Sequence, residues 1–161
     1  MAIIDMEGKT LQGDPSSEKI MHLEVYKSCP EAQSVVHAHP PHAIAFTVAM
    51  PHLTELPAEC LSEVILAAGR IPVVPYARPS TAAMGTELLP FLPDCRLLIL
   101  SRHGALSWGE DMDEAYRGME RLEHCAQILY LAKSMGPLST LPSEEVEALK
   151  LMRKKIGPKT L

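Results

Sequence analysis

Two histidines one residue apart, His37 and His39, close the β-branched run Ser34-Val35-Val36-His37-Ala38-His39. On a strand, alternate side chains leave from one face, so both imidazoles can converge on a single ion. A second apolar run, Arg96-Leu97-Leu98-Ile99-Leu100-Ser101, leads into Arg102-His103-Gly104, where the glycine lets the backbone approach closely. Three neutral imidazoles and a carboxylate suit zinc, and a coordination position opens if the carboxylate can leave. Glu18, beside Ser16 and Ser17, is the acidic candidate. His42 extends the pattern to a third histidine, as in some metallohydrolases, but those place an aspartate where Pro41 stands. His22 and His124 in helical stretches, and His52 in a turn beside Pro51, read as structural residues.

These side chains need elements to carry them. Ile3 and Ile4, a turn at Gly8 and a return strand at Leu11 predict a hairpin, so the chain opens in the middle of a sheet. Asp14-Pro15-Ser16-Ser17-Glu18 has the form of a helix start, with a capping oxygen and a proline at the first helical position, and the helix should run to about Ser28. Pro40-Pro41 stop the strand over 34–39 and place His39 at its end, before an apolar helix over His42 to Ala49. Leu61 to Ala68 reads as helix, Ile71 to Pro75 as an edge strand, Thr81 to Phe91 as helix, and Arg96 to Ser101 as a buried strand. Met112, Ala115, Met119, Leu122, Ala126 and Leu129 repeat at helical spacing after Asp111, which predicts a long amphipathic helix to about Met135. Gly136-Pro137 ends it, and Ser143-Glu144-Glu145 opens a last, more polar helix.

Composition narrows the class. The chain has 161 residues, 47% hydrophobic and 22% charged, as a single globular domain over 1–161 requires and a disordered chain does not. Its net charge of −5 gives no field for phosphate backbones or anionic lipid, so neither nucleic acid nor membrane is an expected partner. The basic run Arg153-Lys154-Lys155 suits a solvated helix end. Cys29, Cys60, Cys95 and Cys125 are far apart and read as reduced core residues. With no signal peptide and no bilayer-length apolar window, a soluble cytoplasmic protein is expected.

The segments Pro15-Ser16-Ser17-Glu18, Val35-Val36-His37-Ala38-His39-Pro40 and Arg102-His103-Gly104-Ala105-Leu106-Ser107-Trp108-Gly109, followed by Asp113-Glu114-Ala115-Tyr116 and Glu123-His124-Cys125-Ala126, resemble the class II aldolase/adducin family, which includes fuculose 1-phosphate aldolase. The resemblance runs from Ile3 to about Met135. It implies a three-layer α/β/α sandwich with a mostly antiparallel central sheet, assembled as a fourfold-symmetric homotetramer. It also implies a zinc-dependent aldolase, a lyase acting on a small sugar phosphate. The positions matching His37, His39 and His103 hold the metal, and Glu18 matches a fourth ligand that is also the catalytic acid/base. Ser16 and Ser17 match serines that hold the substrate phosphate. The chemistry of the residues agrees, because a helix start offers free N–H groups and two hydroxyls to an anion. In retro-aldol cleavage a chelated ketose phosphate would have its developing ene-diolate stabilised by the metal while Glu18 moves the proton.

The sequence also departs from that pattern. Full-length members carry a further N-terminal segment that completes the phosphate pocket, so the domain is expected to be N-terminally short. Fuculose-type aldolases use a tyrosine located between the histidine pair and the segment matching Ile71 to Tyr76, and no tyrosine lies between Pro40 and Pro75. The same stretch lacks the aspartate of the ribulose-phosphate 4-epimerase branch but contains Glu55, Glu59 and Glu63. Glu59 is the nearest match to the catalytic glutamate of methylthioribulose-phosphate dehydratases, which makes a dehydratase the alternative lyase. A non-catalytic, adducin-like association domain is the third reading, and the intact histidines weigh against it.

Overall fold

The computed structural model describes residues 1–160. In chain order the strands and helices are β1 (Ile3–Ile4), β2 (Thr10–Gln12), α1 (Lys19–Ser28), β3 (Ser34–Ala38), α2 (Pro41–Ala49), α3 (Ser62–Ala67), β4 (Val73–Val74), α4 (Ala83–Thr86), β5 (Leu97–Leu100), β6 (Gly104–Gly109), α5 (Met112–Met135) and α6 (Ser143–Ile156). Short 3-10 turns lie at Ala58–Cys60 and Leu89–Phe91.

The central sheet has the order β3-β6-β5-β4. β6 pairs antiparallel with both β3 and β5, whereas β4 runs parallel to β5. The sheet is therefore mixed rather than mostly antiparallel. The chain reaches β5 from β4 through α4 and a 3-10 turn, the kind of crossover that a parallel pair requires. β1 and β2 form a ribbon of their own, so the chain does not open inside the central sheet.

Burial on both faces explains the unbroken apolar character of β5. Leu97, Ile99 and Ala105 pack with α2, α3 and α5, while Leu98, Leu100, Leu106 and Trp108 pack with α1 and α4. This alternation gives the layered α/β arrangement, with helices on each side of one sheet. α5 starts where the Asp111 side chain accepts from the Glu114 amide at 2.7 Å, and α6 is attached through Ile65, Val146 and Leu149. Arg96 makes two bonds to the buried Glu114 carboxylate, at 2.7 and 2.9 Å, tying the start of β5 to α5. Among the described residues no helix is long and apolar enough to cross a membrane.

Several boundaries differ from expectation. α1 begins at Lys19, with Glu18 as its N-cap and not inside its first turn, and Asp14 makes no cap. The stretch Thr81 to Phe91 is only a short helix and a 3-10 turn, because Pro90 has no N–H to continue a helix. β6 was not foreseen: Gly104-Ala105-Leu106-Ser107-Trp108-Gly109 carries little β-branched character and is a strand because both its neighbours pair with it.

Candidate metal centre

The sheet delivers the histidines to one place. His37 lies on β3, His39 just past its end, and His103 in the turn from β5 to β6. Because β3 is antiparallel to β6, with Ala38 opposite Ala105, the end of β3 and the beginning of β6 are neighbours. Glu18 enters from the start of α1. One ligand atom from each of Glu18, His37, His39 and His103 can be chosen so that all lie within 4.8 Å of one another. The ring centroids are 5.0, 5.1 and 5.2 Å apart.

The hydrogen bonds around the group select for a cation. His37 Nδ1 lies 2.8 Å from the Ala105 carbonyl oxygen, an acceptor only, so this nitrogen carries the proton. Nε2 of the neutral ring is then a lone pair, buried and without a hydrogen-bond partner. It faces the Glu18 carboxylate, whose Oε2 is 3.3 Å away. Two acceptors face each other at that distance, an arrangement resolved by a shared cation or by protonation of the ring. Burial pushes the His37 imidazole below its ordinary range and disfavours the second solution, although the Ala105 carbonyl and Glu18 act in the opposite sense. His103 Nε2 lies 2.9 Å from Glu18 Oε1. A set of three imidazoles and a carboxylate thus fits a divalent transition metal.

Gly104 is required where it stands. A Cβ there would meet the Ala38 carbonyl oxygen at 2.5 Å, His39 Cδ2 at 2.9 Å and His37 Cε1 at 3.0 Å. Gly104→Ala is expected to lower stability by roughly 1–3 kcal/mol, because backbone and two rings must shift, and to weaken metal retention. Denaturant unfolding with and without Zn2+ checks this, and an unchanged midpoint in both would contradict it.

Ser16 and Ser17 are exposed and precede α1 instead of lying in its first turn. Ser16 Oγ accepts from the Glu18 amide at 3.2 Å. Ser16, Glu18, His22 and His37 line one cleft of about 440 Å³, so the hydroxyl and two candidate ligands open on the same space. His22 lies close enough for His37 to help burial push its imidazole down, but it is not in the ligand group. His42 is turned away: its Nδ1 is 2.6 Å from Glu123 Oε1, which does not support a metallohydrolase-like triad. Glu59 is paired with Lys150 of α6 at 3.0 Å and is not brought to the histidines of its own chain.

Sequence reasoning overlooked Ser80, whose hydroxyl donates to Ser17 Oγ at 2.9 Å from a left-handed backbone, φ 64°. The turn signal Pro79-Ser80 before Thr81 marks the position, but nothing local couples it to Ser17.

Comparisons with known proteins identify the family. The model of the class II aldolase and adducin N-terminal domain matches residues 1–130. A 5-deoxy-D-ribulose 1-phosphate aldolase of Bacillus thuringiensis serovar kurstaki is 33% identical over 152 residues, covering 92% of this chain and 69% of that enzyme. A 3-oxo-tetronate 4-phosphate decarboxylase of Pectobacterium atrosepticum is 29% identical over 130 residues, 80% of this chain and 60% of the other. Among solved structures, an L-fuculose 1-phosphate aldolase superposes with a TM-score of 0.81 at 29% identity, over 96% of this chain and 71% of that one. The chain thus spans between 60% and 71% of the length of these relatives. By its matched length and by this likeness, the chain belongs to the class II aldolase and adducin N-terminal domain family.

Proposed function

We propose that the protein is a zinc-dependent aldolase that cleaves a small ketose phosphate or related sugar derivative, acting in the cytoplasm as a symmetric tetramer. The observation that carries the reading is the convergence of His37, His39, His103 and Glu18, with the Ser16 hydroxyl on the cleft that Glu18 and His37 line. Phosphorylated substrates in the names of the Bacillus and Pectobacterium relatives support it. Exposed Val48, Tyr130, Leu131 and Met135 on α2 and α5 support association.

In this reading the three imidazoles and Glu18 hold zinc, which would supply Lewis acidity toward a substrate oxygen. The Ser16 and Ser17 hydroxyls, exposed just ahead of α1, donate to the phosphate near the positive end of that helix. Glu18, partly exposed, would take the proton of the hydroxyl beside the bond that breaks and return it to the carbon on the other side of that bond, while His103 would serve as a ligand through Nε2, the nitrogen that faces Glu18.

The Pectobacterium relative favours one second reading, a decarboxylase, in which carbon dioxide leaves in place of an aldehyde. The dehydratase reading draws nothing from this chain's histidine group, since Glu59 lies outside it. An association-only domain has no need of the complete donor set. Zn2+-loaded protein incubated with ketose 1-phosphates and with a 3-oxo acid 4-phosphate separates these outcomes. A triose phosphate with an aldehyde is expected. Carbon dioxide or a dehydrated ketone would replace the aldolase by the corresponding lyase, and no turnover of any of them would overturn the enzyme reading.

A further inference from the structure

We propose that Thr47 is a positioning residue for His103, acting through the backbone of Arg102; the inference rests on reading the histidine group as a metal centre. His103 sits in the turn between β5 and β6, where its amide donates to the Leu100 carbonyl at 3.1 Å. The preceding residue, Arg102, is exposed and adopts φ 57°, a left-handed conformation that a non-glycine residue keeps only where its surroundings hold it. Its side chain is directed to solvent and cannot supply that hold. Its amide can: it donates to Thr47 Oγ1 at 2.9 Å.

Thr47 lies in α2, 1% exposed, and its own hydroxyl proton goes to the Ile44 carbonyl at 2.8 Å. The hydroxyl therefore presents a lone pair toward the turn, and its polarity is fixed. A buried position on this apolar helix would be filled as well by valine, which has the same shape and no polar atom to satisfy. The hydroxyl matters because Arg102 needs an acceptor.

α2 is itself anchored. The Glu123 carboxylate accepts from the amides of His42 and Ala43, both at 3.1 Å, at the first turn of the helix, which follows His39 directly through Pro40. The same short helix thus fixes the chain on either side of the centre: His39 by continuity at its start, and His103 by the Thr47 hydroxyl further along.

The test measures Zn2+ affinity by chelator competition and the visible absorption of the Co2+-loaded protein, for wild type, His39→Ala, Thr47→Val and Thr47→Ser, with unfolding of the metal-free forms alongside. Thr47→Val is expected to bind Zn2+ about 10- to 100-fold more weakly, the usual effect of losing a group that orients a ligand, and to change the Co2+ spectrum; Thr47→Ser is expected to restore both. If Thr47→Val does not fold, Thr47→Ala and Thr47→Ser, which differ only in the hydroxyl, carry the comparison with the same expected ratio. Wild-type affinity and spectrum in Thr47→Val, or equal affinities for the alanine and serine variants, would overturn the inference even if stability falls. Should wild type bind no more metal than His39→Ala, the metal-centre reading falls and this inference with it; metal bound by wild type and unaltered by Thr47→Val removes this inference alone.

Discussion

His39→Ala is expected to strip the protein of its metal while leaving the fold in place. His39 is exposed and follows the last residue of β3, so its ring contributes to the ligand group and little to the core. If bound zinc is worth about 10–16 kcal/mol and is held chiefly by three imidazoles, the share of one is about 3–5 kcal/mol, or roughly a 10²- to 10⁴-fold loss of affinity. Metal content of dialysed protein by plasma mass spectrometry, read beside a thermal unfolding curve, checks both halves. Near-stoichiometric zinc in wild type that vanishes in the variant is the expected result, and zinc retained in His39→Ala would show that the ion sits elsewhere. His42→Ala serves as the control: its imidazole is bound to Glu123 at 2.6 Å, so zinc should remain. A loss as large as that of His39→Ala would revive the reading with His42 as a ligand.

What could be foreseen here follows the range of the interactions involved. The shared face of His37 and His39 is a local property of a strand, and the place of His103 follows from the end of an apolar run. α5 was readable because its periodicity, its Asp111 cap and its Gly136 stop lie within the segment itself. β6 was not, since its glycines, alanine and serine form a strand only between two partners distant in sequence. The parallel direction of β4 and the separateness of the first ribbon likewise depend on how elements assemble. At α1 the local signal misled: Asp14-Pro15 has the composition of a helix start, but the chain stays irregular until Glu18, and this puts Ser16 and Glu18 on one cleft. The contact of Ser80 with Ser17, and that of Thr47 with Arg102, join residues more than fifty positions apart and leave no trace in the local pattern.

Glu18→Gln separates the two roles that converge on one side chain. The substitution keeps shape and one carbonyl oxygen but removes the charge and the capacity to accept a proton near neutral pH. Three imidazoles are the usual protein complement of a catalytic zinc, so His37, His39 and His103 are expected to hold the metal with a modest loss of occupancy. Turnover should fall far more, by about 10²- to 10⁴-fold, the ordinary contribution of a positioned acid/base. The local geometry sharpens the expectation. A glutamine that turns its amide toward His37 Nε2 donates to the lone pair that in the native protein faces Oε2 at 3.3 Å, satisfying the site without a cation. One that turns its oxygen inward leaves the ligand set nearly intact but cannot carry the proton. Zinc stoichiometry and turnover measured on the same preparation distinguish these consequences. A variant that keeps zinc and loses turnover identifies Glu18 as the proton carrier, one that loses both in proportion makes it a metal ligand alone, and full activity would remove it from the chemistry.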